Sequence, residues 1–170
     1  MRIRLKYPSS YTEGEIAITG SKSESNRLLI LQALFPKIII KNISNSDDSK
    51  ITENALKSTD SIIDIHHAGT AMRFLTAYFS TQPGREIILT GSQRMQERPI
   101  KILVNALKDL GAEISYDKKE GYPPLKIIGK KIIKSKVALQ ANISSQYISA
   151  LMLIAPSLED GLTIELVGQL

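Results

Sequence analysis

Three stretches of this sequence place hydroxyls, glycines and cations directly ahead of apolar runs. Gly20-Ser21-Lys22-Ser23-Glu24-Ser25-Asn26-Arg27 precedes Leu28–Leu34, in which only Gln32 is polar. Gly69-Thr70-Ala71-Met72-Arg73 leads into Phe74–Phe79, and Ser144-Ser145-Gln146-Tyr147 leads into Ile148–Ile154. A helix opened this way suits an anion. Its first backbone N–H groups have no partner inside the helix, and the macrodipole places partial positive charge there. Lys22 and Arg27 add full charges, and a guanidinium can hold a phosphate with two parallel hydrogen bonds. Serine-capped helices with solvated charges explain the same residues, so for each stretch alone both readings stay open. The glycine and lysine spacing is not that of a G-x-x-x-x-G-K-[ST] loop, so nucleotide binding does not follow. A fourth stretch, Gln93-Arg94-Met95-Gln96-Glu97-Arg98-Pro99, is a polar loop with two arginines.

The elements that must position these residues can be read from pattern and punctuation. Met1–Lys6 alternates apolar and basic residues and reads as a strand broken by Pro8-Ser9-Ser10; Glu15–Thr19 reads as a second. A helix over Ser23–Leu34, apolar on nearly every side, should be buried and ends at Pro36. Lys37–Ile43 is a β-branched run and reads as a strand. Ser46-Asp47-Asp48-Ser49 is a capping cluster that starts a surface helix over Lys50–Lys57. Strands follow at Ser61–Ile65 and Glu86–Thr90, flanking the helix that begins near Gly69. Pro99 suits a first helical position, and Ile100, Leu103, Val104, Leu107 and Leu110 recur at helical spacing up to a Gly111 cap. Glu113–Tyr116, Leu125–Ile128, Lys136–Gln140 and Leu162–Val167 read as strands, with the third apolar helix closed by Pro156.

Apolar helices thus begin near Lys22, Gly69 and Ser144, which makes a weak internal repeat. After the first two come a strand, a more polar helix and a strand. The third copy has its helix and one strand, so the chain is expected to stop inside a structural unit.

Composition narrows the classes. The 170 residues suffice for one ordinary domain or most of a larger one, and 42% apolar residues allow a substantial core. No apolar run is long enough to span a bilayer, and no signal-peptide region follows Met1, so the expected location is the cytoplasm and no membrane partner is expected. Cysteine is absent, which removes disulfides and thiolate chemistry. The net charge of +5 fits nucleic acid or a small anion. Its lysines crowd into 118–136 without interleaved aromatics, which reads as a solvated face and not a nucleic-acid site. The two histidines, His66 and His67, are adjacent. On a strand they would point to opposite faces, so no metal site is expected.

Gly20-Ser21-Lys22-Ser23-x-Ser25-Asn26-Arg27, Ala68-Gly69-Thr70-Ala71-Met72-Arg73 and Arg94-Met95-x-Glu97-Arg98-Pro99 together resemble motifs of the EPSP synthases, the 3-phosphoshikimate 1-carboxyvinyltransferases. Tyr122-Pro123-Pro124-Leu125 and Ser144-Ser145-Gln146-Tyr147 extend the resemblance, in order, over essentially the whole chain. The sister UDP-N-acetylglucosamine enolpyruvyl transferases are less similar, usually having Asn directly after the lysine and commonly a loop cysteine. The resemblance implies an α/β (α+β) fold of repeated βαβαββ units around buried parallel helices, here with the third unit incomplete. Residues 1–19 would be strands that in the family belong to the C-terminal domain, and 20–170 most of the N-terminal substrate-binding domain.

The resemblance also implies a reaction. The enolpyruvyl group of phosphoenolpyruvate passes to the 5-hydroxyl of shikimate 3-phosphate and phosphate leaves, a step of the shikimate pathway toward aromatic amino acids that needs no cofactor or metal. By analogy Lys22 would touch phosphoenolpyruvate and the reacting region. Ser23 and Arg27 would hold the shikimate end, and Ser144 and Ser145 its phosphate, with Gln146 between the substrates. Gly69 and Thr70 would open the helix that phosphoenolpyruvate approaches, and Arg98 would bind its phosphate or carboxylate. For Arg73 and Arg94, internal ion pairs and ligand contact both remain open. His67 stands where the family usually has Asn, and is read as an altered ligand contact. The family's proton-transferring aspartate, glutamate and lysine lie in the C-terminal domain. The chain is therefore expected to be inactive alone and to need that domain as its partner, the full-length protein being a monomer. The alternatives are a UDP-N-acetylglucosamine enolpyruvyl transferase-like protein, a stand-alone anion-binding module and, from the lysine cluster, a nucleic-acid-binding protein.

Overall fold

The computed structural model describes residues 3–4 and 14–168. In chain order these form α1 (Lys22–Leu34), α2 (Asp47–Lys57), β1 (Ile62–Asp64), α3 (Gly69–Ser80), β2 (Glu86–Thr90), the short α4 (Gln93–Gln96), α5 (Lys101–Leu110), β3 (Glu113–Tyr116), β4 (Leu125–Ile128), β5 (Lys136–Gln140), α6 (Ser145–Ile154) with a 3₁₀ turn (Ala155–Ser157), and β6 (Thr163–Val167). No helix among the described residues is long and apolar enough to cross a membrane.

One complete βαβαββ unit runs from β1 to β4. Its four strands lie in the order β1-β2-β4-β3: β1 and β2 are parallel, and β4 is antiparallel to both β2 and β3. Alternation builds the sheet's two faces. Ile63, Ile87, Leu89, Ile114, Leu125 and Ile127 are buried, whereas Glu86 and Lys126 point to water and pair at 2.7 Å. The same pattern begins again in β5-α6-β6, whose strands form a separate two-stranded parallel sheet. The helices close the core between these layers. α3 touches α1, α2, α5 and α6 as well as β2 and β4. Phe74, Leu75 and Ala77 are fully buried there, as are Leu103 and Leu107 of α5 and Ala150, Leu151 and Ile154 of α6.

Several sequence expectations are corrected. The strand expected over Glu15–Thr19 does not form: this segment joins no ladder, and Ile16 and Ile18 are 85% and 82% exposed. Nor does Lys37–Ile43, where Ile39 is 82% exposed and the Gln32 amide donates to the Ile38 carbonyl at 2.8 Å. β-Branched residues favour extended backbone, but a strand exists only where a neighbour accepts its hydrogen bonds, and none of the described residues does so here. α1 is only partly enclosed, with Leu28, Leu31 and Leu34 half-buried. The loop 93–98 coils into α4 because Ser92 caps it and Met95 is buried. Pro99 does not open α5, which starts at Lys101 after the non-helical Ile100. Apart from Ile3 and Arg4, the expected strand Met1–Lys6 lies outside the described residues, as does the break at 8–10.

Other expectations hold to the residue. Glu86–Thr90, Glu113–Tyr116, Leu125–Ile128 and Lys136–Gln140 are the observed β2, β3, β4 and β5, and Gly111 caps α5 in the left-handed conformation.

Candidate functional site

The three apolar helices open on one side of the molecule. Counting from each helix's first residue, Arg27 is sixth in α1, Phe74 sixth in α3 and Ser149 fifth in α6. These residues meet. The Arg27 guanidinium lies 5.4 Å from the Phe74 ring centre, and its Nη2 donates to Ser149 Oγ at 3.3 Å. Arg73, fifth in α3, lies 5.3 Å from the ring centre of Tyr147, third in α6. These contacts bring the N-terminal halves of α1, α3 and α6 together at one face, where the partial positive charges of their ends add.

Each N-terminus is built differently. Ser21 caps α1 by accepting from the Glu24 N–H at 3.5 Å, and Ser144 caps α6 by accepting from the Gln146 N–H at 3.4 Å. α3 has no side-chain cap: the residue before it is the buried Ala68, and Thr70 sits inside the first turn. Thus the hydroxyl expected at the head of α3 is not a cap, and the first N–H groups of α3 are left for something else. Backbone packing fixes α1's entry. A Cβ on Gly20 would stand 2.0 Å from the Asn42 carbonyl oxygen, so only glycine fits.

Cations gather at these ends. The Arg27 Nη1 donates to the Ser23 carbonyl at 2.8 Å, and the Arg73 Nη1 to the Gly69 carbonyl at 2.7 Å. The space a Cβ would take at Gly69 holds two guanidiniums, with Arg98 Nη1 at 2.7 Å and Arg73 Nη1 at 3.3 Å. Gly69 therefore admits these two like charges beside α3, where a β-carbon would push them away. The neighbouring Pro99 carbonyl accepts the Tyr147 hydroxyl at 2.8 Å, so the Arg98-Pro99 dipeptide touches the starts of both α3 and α6. Among the described residues, Arg27, Arg73 and Arg98 form no ion pair with a carboxylate. For Arg73 this sets aside the internal-ion-pair reading; its Nε is also buried without an acceptor. Three unneutralised guanidiniums around uncapped N–H groups make an electropositive face that an anion with several oxygens would complete.

Lys22, Ser23, His67, Arg98, Ser144 and Ser145 are exposed, and Arg27, Gly69, Thr70 and Gln146 half-buried. His66 and His67 lie in a turn after β1, not on a strand. His66 adopts φ 49, its N–H donates to Asp64 Oδ1 at 2.7 Å, and its carbonyl accepts from the Ser92 N–H at 2.8 Å. The serines of the first motif divide their labour. Ser25 and Asn26 are buried, Ser25 Oγ accepting from the Ser44 N–H at 2.9 Å and Asn26 Oδ1 from the Ser49 hydroxyl at 2.8 Å. They hold α2's capping loop to α1 and leave Lys22, Ser23 and Arg27 for the face. Sequence reasoning missed Asp48 and Tyr147, which complete the site's framework. Asp48 approaches Lys22 to 3.4 Å. Its only signal in the sequence was membership of the capping cluster.

The family model of EPSP synthase (3-phosphoshikimate 1-carboxyvinyltransferase) matches residues 52–170. The chain belongs to the EPSP synthase family. A curated 3-phosphoshikimate 1-carboxyvinyltransferase of Bacteroides fragilis is 49% identical over the whole chain, which covers 41% of that relative. The Pasteurella multocida enzyme of the same name is 40% identical, with 96% of the chain and 44% of that relative covered. The chain thus spans about two-fifths of the length of the curated EPSP synthases it matches. An EPSP synthase structure from Acinetobacter baumannii shares the fold with a TM-score of 0.76 at 21% identity, over 92% of this chain and 41% of that one.

Proposed function

We propose that the chain supplies one substrate-holding face of an EPSP synthase, the enzyme that moves the enolpyruvyl group of phosphoenolpyruvate onto the 5-hydroxyl of shikimate 3-phosphate. The observation that carries this reading is the set of three neighbouring helix starts ringed by Arg27, Arg73 and Arg98, which have no carboxylate partner among the described residues. Both substrates carry a phosphate and a carboxylate, the oxygen-rich anions such a face accommodates. In this reading Ser23, Arg27, Ser144 and Ser145 hold shikimate 3-phosphate. Lys22, Thr70, Arg98 and the N–H groups beside Gly69 hold phosphoenolpyruvate, with Gln146 between the two and His67 at the rim.

The chain's own residues bind, orient and stabilise charge. Arg27 and Arg73, fixed by backbone carbonyls and aromatic rings, need no rearrangement to meet an anion's charge. They are poor proton donors, because a guanidinium stays charged at neutral pH. Proton transfer to the enolpyruvyl carbon and from the 5-hydroxyl is assigned to residues of the rest of the enzyme. Residues 1–19 are assigned to that other domain and 20–170 to this one. The whole enzyme acts as a cytoplasmic monomer.

Isotope-labelled chain titrated with each substrate tests this. Shikimate 3-phosphate is expected to shift the Ser23, Arg27, Ser144 and Ser145 signals, and phosphoenolpyruvate those of Lys22, Gly69 and Arg98. Silence of these signals at millimolar ligand would overturn the assignment. Phosphate release by the chain alone is expected at background, and robust turnover would refute its dependence on the other domain.

A further inference from the structure

Lys22 differs from the other cations of the face. Among the described residues it is paired, with Asp48 Oδ2 at 3.4 Å from its ammonium, while the three arginines have no carboxylate. A negative charge beside an anion site needs a reason. α2, on which Asp48 sits, supplies part of one, because Asp47 and Asp48 both lie in its first turn. Yet that N-terminus is already capped by Ser46, and Asp47, exposed in the same turn, already faces its dipole. The Asp48 side chain is 20% exposed and directed at α1.

Its position is held from two sides. The Ser49 hydroxyl donates to Asn26 Oδ1 at 2.8 Å and the Ser44 N–H to Ser25 Oγ at 2.9 Å, both bonds buried, which fixes α2's first turn against α1. Ser46 Oγ bonds Ser49 Oγ at 3.0 Å, tying the cap into the same chain of contacts. Asp48 therefore stands on a rigid platform, whereas Lys22 is a compact charge on a four-carbon stem with much rotamer freedom. Arg27 and Arg73 need no such tether, because they are already fixed by carbonyls and aromatic rings.

We propose that Asp48 is a positioning residue: through its ion pair it orients the Lys22 ammonium toward bound phosphoenolpyruvate, leaving N–H donors for the ligand. This rests on the reading of Lys22 as a phosphoenolpyruvate contact.

The test is a double-mutant cycle read as phosphoenolpyruvate affinity, with wild type, Lys22→Ala, Asp48→Asn and the double variant. Asp48→Asn keeps the shape and removes the charge. It is expected to weaken phosphoenolpyruvate binding about fivefold when Lys22 is present and less than twofold when position 22 is alanine, since coupled residues do not act additively. Asp48→Glu, which keeps the charge, is expected to recover at least half of the loss. A carboxylate acting only through its long-range field would give the opposite sign, because its removal would tighten anion binding in both backgrounds. Tighter or unchanged binding in Asp48→Asn, or equal weakening in both backgrounds, overturns the proposal. Thermal melting of each variant separates misfolding from lost positioning: a fall in affinity confined to variants that melt early also counts against it. Failure of wild type to bind phosphoenolpyruvate, or a Lys22→Ala variant that binds as well as wild type, removes the functional reading of Lys22 itself and this inference with it.

Discussion

Two sets of cations in this molecule are used in opposite ways. On the surface of the sheets, Lys126 pairs with Glu86, Lys130 with Glu113 and Lys136 with Glu165, at 2.7, 3.2 and 3.0 Å, and all six side chains are well exposed. At the helix starts, Arg27, Arg73 and Arg98 have no carboxylate among the described residues, and two of them are held by backbone carbonyls instead. The lysines are neutralised at home and contribute little more than solubility. The arginines are aimed but not neutralised, which leaves their charge for a visitor. A basic composition is therefore a poor guide to function until it is known which charges the fold has already satisfied.

The sharpest way to break this contrast is Arg98→Ala. Removing a hydrogen bond to a charged group costs about 1.5–3 kcal/mol. Phosphoenolpyruvate affinity is therefore expected to fall roughly 10- to 100-fold in a calorimetric titration, at about 1.4 kcal/mol per factor of ten. Because Arg98 is exposed, the melting temperature should scarcely move. Unchanged affinity would place Arg98 with the solvated lysines.

Gly69→Ala comes next, and it splits stability from binding. Alanine is favoured over glycine within a helix by up to about 1 kcal/mol. Its Cβ would also meet Arg98 Nη1 at 2.7 Å and displace that flexible guanidinium. Melting should rise or hold while phosphoenolpyruvate affinity drops about tenfold, roughly 1.4 kcal/mol, and shikimate 3-phosphate affinity stays within a factor of about two, the two sites being treated as independent. A parallel loss for both ligands would mean the helix start is damaged as a whole.

On the other side of the comparison, Lys126→Gln should change stability by under about 0.5 kcal/mol and ligand affinity not at all, as for an exposed pair. Denaturant unfolding and the same titrations check this.

The smallest effect concerns pH. Hydrogen bonding to Lys131, and then its charge, holds the Glu159 carboxyl below its ordinary 4.5. A carboxyl depressed in the folded state stabilises above its unfolded value, and that contribution is lost as pH falls through the folded one. Wild type should therefore be slightly more stable than Lys131→Gln at neutral pH, with the difference vanishing well below pH 4.5. A difference that persisted in acid would point to packing of the lysine stem instead.

How much of this was legible beforehand follows from what each signal measures. Alternation and β-branching located β2 to β5 because those strands have neighbours. The same signals misread Glu15–Thr19 and Lys37–Ile43, since propensity describes a residue and pairing describes two. At the site, the motif cations and hydroxyls were visible as local clusters. Their division into ligand-facing Lys22, Ser23 and Arg27 and inward-facing Ser25 and Asn26 was not, because it depends on how α2 lies across α1. Asp48 and Tyr147 were missed for the same reason, their partners being distant in sequence.

The bond from Tyr147 to the Pro99 carbonyl carries a consequence for modularity. The repeat looks divisible on paper, one βαβαββ unit followed by the start of another. Yet the second copy's helix is sewn into the first copy's loop and shares its core through Ala150, Leu151 and Ile154. A nick in the connection between β4 and β5 should therefore leave two pieces that remain associated and can be reconstituted from separate polypeptides, as in split-protein complementation. The units repeat in pattern, but the two copies share one core.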